Sequence, residues 1–218
     1  MPRRILDILM LALSVVLMGG VSLFEHEGVH KRAGIALALL WIFHNILNRH
    51  FYKNLCRGKY GFFRILTLAV NLGIAVCAVL LVWSGVVLSP ELLDVEFGFA
   101  YARTVHLVAS HWYYVLIAVH FAMHAGAFFS RISLFRENAA AKWTFGSVVL
   151  ALSVCGVRAV YVRGFFGYLF YAQKFFFLDL ERGVPHILFD TFSIFVLLSS
   201  VTWLLLKIPR RAKFLPRV

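Results

Sequence analysis

The chain is 218 residues long, 61% hydrophobic and only 15% charged, with a formal net charge of +12. Soluble domains average about 45–50% apolar residues, so this composition excludes an ordinary soluble globular protein and leaves room for about six membrane helices of ~20 residues. Three scattered cysteines, Cys56, Cys77 and Cys155, form no C-x-x-C, which excludes a zinc knuckle, a c-type haem attachment site and a disulfide framework.

In chain order, the apolar runs predict helices near 5–24, 30–52, 64–88, 101–130, 143–162 and 186–206. The first, MPRRILDILMLALSVVLMGG, runs on as a full-length apolar span without an A-x-A-like site, so it is read as a transmembrane helix and not as a cleavable signal. Residues 163–183, RGFFGYLFYAQKFFFLDLERG, are too interrupted by charge to span and predict an aromatic interfacial helix at the outer leaflet. The expected fold is therefore all-α and polytopic, with six transmembrane helices. A histidine-rich four-helix bundle occupies 1–142, and a two-helix extension with the interfacial segment occupies 143–218. Alternate sides of the membrane receive unequal charge. One side holds 15 of the 22 Lys+Arg and two of the ten acids, net +13, and the other holds seven bases and eight acids, net −1. Basic residues favour the cytoplasm, so both termini are expected there, and the positive charge reports topology and not a nucleic-acid partner.

Two stretches stand out. Residues 30–44 read HKRAGIALALLWIFH and residues 106–120 read HLVASHWYYVLIAVH. Fourteen residues at about 100° each is about 1,400°, some 40° short of four turns, so both histidines of each stretch lie near one face, about 21 Å apart along the axis. Helices two and four, separated by one span, run parallel. This predicts His30 opposite His106 near the outer surface and His44 opposite His120 in the inner half. A bare divalent cation between two neutral imidazoles would bring uncompensated charge into the membrane, and neither stretch holds an Asp or Glu. Haem meets that objection, because the porphyrin dianion offsets ferrous iron and the iron takes an imidazole on each face. Gly34 and Ser110, each four residues after a first histidine, supply space for a planar macrocycle between helices. A single membrane histidine often only hydrogen-bonds a carbonyl, but two identically spaced pairs on parallel helices favour ligation. His124, one turn beyond His120, is the rival inner ligand; otherwise it serves a propionate, a quinone or a proton relay.

The polar residues around the quartet divide into candidates and bystanders. Arg103, one turn before His106, is a candidate for pairing a haem propionate, with Lys31 and Arg32 as alternatives and Arg49, Lys53 and Arg131 on the other side. His50 reads as a surface residue and His111 as a packing histidine. His26 and His186 fall on the outer side, and His186, with Asp190 one turn on, reads as an interfacial cap or part of a quinol site.

RRILDILM at 3–10, HKRAGIALALLWIFHNILNRHFYK at 30–53, ARTVHLVASHWYYVLIAVHFAMH at 102–124 and YLFYAQKFFFLDLERGVPHILFD at 168–190 together carry a resemblance. The paired H-x13-H pattern resembles the dihaem pattern of the respiratory cytochrome b subunit. The wording is closer to a smaller family, the bacterial flavinylation-associated, hydrogenase-type membrane cytochromes b. The resemblance implies two haem b groups, residence in the bacterial cytoplasmic membrane, and electron exchange with quinone or an extracytoplasmic flavin- or metal-bearing redox protein. Two other readings compete: a membrane non-haem metal oxygenase, for which H-x-x-x-H occurs at His26/His30 and His120/His124, and a histidine-based metal or proton transporter. The oxygenase pairs fall on opposite sides of the expected membrane. The transporter reading lacks acids in the histidine stretches and the Gly/Pro-broken half-helices that often mark transport sites.

Overall fold

The computed structural model describes residues 2–20, 27–55, 57–89, 98–129, 138–174 and 183–211, and among them the chain is all-helical with no strand. The helices are α1 (Pro2–Met18), α2 (Glu27–Leu47), the single-turn α3 (Arg49–Lys53), α4 (Phe62–Val87), α5 (Phe99–Phe129), α6 (Ala139–Val162), the short α7 (Phe165–Leu169) and α8 (Gly183–Arg211). Local chemistry sets several ends. The Asn138 side chain accepts a hydrogen bond from the Ala141 amide at 3.1 Å and caps α6. Gly164, at φ +59°, makes the left-handed turn that separates α6 from α7. Pro185 lies in the first turn of α8, where its missing N–H breaks no helical bond.

Among the described residues, four helices are long and apolar enough to cross a membrane: α4, α5, α6 and the Gly183–Ile208 part of α8. The first two predicted spans fall short for different reasons. Helix α1 has 17 residues, about 26 Å against a hydrocarbon core of about 30 Å. Helix α2 has 21 residues but carries His30, Lys31, Arg32 and His44. It nevertheless exposes an apolar face of Ile35, Leu39, Ile42, Phe43 and Ile46. Opposite that face His30, Gly34, Leu37, Trp41 and His44 are all partly shielded. Within the predicted interfacial segment 163–183, α7 supplies five helical residues, and 175–182 lie outside the described part of the chain.

Helix α5 organises the packing. On one side α1, α2, α4 and α5 contact one another in a ring, α1 on α2, α2 on α4, α4 on α5 and α5 on α1. On the other side α8 packs on α5 and α1, with α6 behind it and α7 against α5. One apolar core joins Val15 of α1, Tyr114 and Ala118 of α5, Ala159 of α6, Phe165 of α7, and Ile194 and Phe195 of α8. The residues on either side of position 142 thus share a core. A second core, Val70, Ile74 and Cys77 with Tyr113, fastens α4 to α5. Gly156 brings α6 against α8: a Cβ there would stand 2.4 Å from the Ser193 carbonyl oxygen. A buried ion pair ties the same helices, with Arg163 donating from Nε and Nη2 to Asp190 Oδ2 at 3.0 and 2.9 Å and Arg158 3.6 Å from Oδ1.

Candidate functional site

The first histidine pair meets across the ring. His30 on α2 and His106 on α5 have ring centroids 6.3 Å apart and planes inclined at 60°. A third helix, α4, orients His106. Ser84 is fully buried, and its hydroxyl donates to the Leu80 carbonyl at 2.6 Å. Its oxygen is therefore left to accept from His106 Nδ1 at 3.0 Å. That bond puts the imidazole proton on Nδ1 and the lone pair on Nε2, the tautomer that a metal ligand needs. Space lies alongside: a Cβ added at Gly34 would meet nothing within 4 Å, and one at Gly85 would approach only His106 Cε1, at 3.9 Å. Ser110 turns its hydroxyl to its own helix, donating to the Leu107 carbonyl at 2.8 Å. Arg103 is exposed.

The second pair is arranged differently. His44 Nδ1 donates to Asp7 Oδ1 at 2.8 Å, and Asn48 Nδ2 stands 3.2 Å from His44 Nε2 while also donating to the His44 carbonyl at 2.9 Å. His120 Nδ1 is buried with no hydrogen-bond partner among the described residues. Its ring contacts His124 at 4.8 Å, and it lies within electrostatic range of His124, His44 and Asp7. First histidine near first and second near second means that α2 and α5 run parallel. The acid absent from both histidine stretches thus arrives from α1, through Asp7. His124 is exposed, whereas His120 is partly shielded. Between the two levels the Tyr113 hydroxyl, buried on α5, lies 3.3 Å from Ser14 Oγ of α1. Among the described residues no group of three or more His, Cys, Asp or Glu is placed to hold a metal ion by itself.

Two participants escaped sequence reasoning. Ser84 was detectable only as a Ser-Gly pair interrupting the apolar run of α4, and Asp7 only as the single acid of the first helix. The remaining histidines fall elsewhere. His111 is buried, bonds the Leu107 carbonyl through Nδ1 at 2.8 Å and packs on Phe165 and Tyr168 at 5.3 and 5.1 Å. His186 is exposed, and Asp190, its expected neighbour in a quinol site, is taken by Arg163 and Arg158. Arg32 Nε donates to the Gly28 carbonyl at 3.1 Å, and Arg49 and Lys53 are exposed. His26, Arg131, the acidic stretch 90–97 and the tail 212–218 lie outside the described residues. No protein-family model, no curated protein and no solved structure matches this chain.

Proposed function

We propose that the chain is a dihaem b-type cytochrome that carries electrons across the bacterial cytoplasmic membrane. The observation that supports this reading best is the first pair. Two imidazoles on opposite faces of one metal ion, at about 2 Å per metal–nitrogen bond, have ring centroids about 6 Å apart. His30 and His106 stand at 6.3 Å, and Ser84 holds the tautomer that leaves His106 Nε2 unprotonated. The open space at Gly34 suits a flat macrocycle beside that pair.

In this reading His30 and His106 hold an outer haem b, and His44 and His120 hold an inner one, with His124 as the rival inner ligand. Haem b supplies a one-electron relay when bound in such a site. The chain does the rest. Ser84 and Asp7 orient one imidazole at each level, from α4 and from α1. Asn48, just past the end of α2, is a neutral partner whose place at Nε2 a ligand would take. The apolar outer faces of α2 and α4 keep water away from the ring interior, where an exposed charge would be costly. Arg103 and the basic residues near the other end remain the candidates for propionate pairing.

The topology that goes with this function has six spans and both termini in the cytoplasm, supported by the charge split of +13 to −1. Quinol in the bilayer and an extracytoplasmic flavin- or metal-bearing protein are the proposed redox partners. No nucleotide-binding Gly-rich turn is present in the sequence to take electrons from NAD(P)H. Pyridine haemochrome analysis of the purified protein is expected to give two haems b per chain, with low-spin spectra from bis-imidazole ligation. Zero haem in a folded, helical preparation refutes the proposal. A menaquinol or ubiquinol analogue reducing the haems in proteoliposomes tests the quinone half separately.

A further inference from the structure

A cavity of about 560 Å³ opens beyond the last turn of α2, between α3, residues 54–55 and 57–60, and the start of α4. Its basic side chains are His50, Arg57 and Arg64, and its apolar wall is Phe51, Leu55 and Leu68. Arg64 is not a loose side chain reaching for water. Its Nη2 donates to the Asn54 and Leu55 carbonyls at 2.6 and 3.0 Å, and its Cζ lies 4.3 Å above the Tyr60 ring. Gly58, at φ +82°, lets the turn close over it, and a Cβ there would stand 3.1 Å from Nη1. Tyr60 in turn donates its hydroxyl to the Leu55 carbonyl. The turn is therefore folded around a guanidinium whose hydrogen bonds go to carbonyls, which satisfy donors but carry no net negative charge.

No counter-charge is available nearby in sequence. Residues 28–90 contain no Asp or Glu, while 49–64 alone contain five Lys+Arg. A fixed guanidinium, a second arginine and a histidine beside an apolar wall match a ligand with an anionic head and a hydrocarbon tail. We propose that this cavity binds the phosphate headgroup of an anionic phospholipid, with an acyl chain running along the Leu55 and Leu68 wall. On the proposed topology this end of α2 and α4 faces the cytoplasmic leaflet, where basic pockets between membrane helices recruit anionic lipids. The site is separate from the histidine pairs, and nothing in it requires haem.

Native mass spectrometry of the full-length protein, taken from nanodiscs holding equal phosphatidylglycerol and phosphatidylcholine, tests this directly. Wild type is expected to retain phosphatidylglycerol selectively. Arg57→Glu, at an exposed turn position, should weaken that retention about tenfold or more, and His50→Ala should weaken it less. Lys207→Glu, a charge reversal on the same membrane face but remote from the cavity, should leave it unchanged. Helical circular dichroism and the haem spectrum of the same samples report folding, so loss of haem with lipid retained would count against the cytochrome reading alone. Equal retention of the two lipids by wild type, or equal losses in Arg57→Glu and Lys207→Glu, overturns the site. Displacement of phosphatidylglycerol by inorganic phosphate at matched concentration overturns the lipid source and assigns the cavity to a free phosphate.

Discussion

Ser84→Ala removes one oxygen atom from a position with no exposure at all, and the consequence can be worked out from its bonds to its own helix and to His106. The bond to Leu80 is a helical back-bond whose loss leaves a carbonyl still engaged in the helix. The bond from His106 Nδ1 is different, because among the described residues that nitrogen has no second acceptor. Stranding a buried donor costs about 1–3 kcal/mol. At about 1.4 kcal/mol per tenfold, that is roughly a 5- to 150-fold loss in the stability of the ligating arrangement. Mutations of such outer partners in metal sites typically cost about 10–100-fold, the same range. The measurement is haem titration of the purified apoprotein, with low-spin electron paramagnetic resonance to follow each centre. Ser84→Ala should weaken or shift one of two centres, the one that His30→Ala and His106→Ala also abolish, and leave the other intact. Ser84→Thr, which keeps a hydroxyl able to back-bond and accept, should lie between alanine and wild type. An unchanged affinity and spectrum in Ser84→Ala refutes the orienting role, and a simultaneous loss of both centres refutes the assignment of Ser84 to one level.

The second level has its own pair of tests: Asp7→Asn and His44→Ala should perturb one and the same spectral component, and perturbation of different components in a redox titration would break the link between α1 and α2. His120→Ala should abolish that component while His124→Ala spares it; the reverse result makes His124 the ligand. Among the described residues, Arg163→Ala leaves Asp190 buried beside only the more distant Arg158, and removing one partner of a buried pair typically costs about 3–5 kcal/mol, so thermal melts should show a large loss that Arg163→Lys partly restores. Gly156→Val places side-chain atoms where the Ser193 carbonyl stands and should separate α6 from α8, read as a loss of cross-linking between cysteines introduced on the two helices; undiminished cross-linking would refute the close approach.

Much of the helix pattern could be read along the chain because hydrophobic runs and their period are local properties. The expected run near 64–88 corresponds to Phe62–Val87, and that near 101–130 to Phe99–Phe129. The same holds for the histidine faces: a fourteen-residue spacing puts His30 and His44 on one side of α2 whatever surrounds it. Hydropathy also marks its own limit. Lys31 and Arg32, together with two histidines, lower α2 below the composition of a simple span although Ile35, Leu39, Ile42, Phe43 and Ile46 line an exposed apolar stretch away from the histidines, since an average over a window does not see which side each residue takes.

What only the tertiary structure decided is which side chains meet. His106 pairs with Ser84, 22 residues away on an antecedent helix, and His44 with Asp7, 37 residues away. Tyr114 reaches the Thr191 carbonyl across 77 residues. Asp190 turns from the neighbouring His186 to Arg163, because a carboxylate buried to 4% exposure requires a charged donor more than it requires a near neighbour in the chain. The sequence by itself determined the helices, their polar stripes and the distribution of charge, all of which depend on spacing over a few turns. The partners of each stripe depend on how helices far apart in the chain rotate and pack. A hydrogen bond made or missed at about 3 Å is decided by that packing and by nothing a single helix contains.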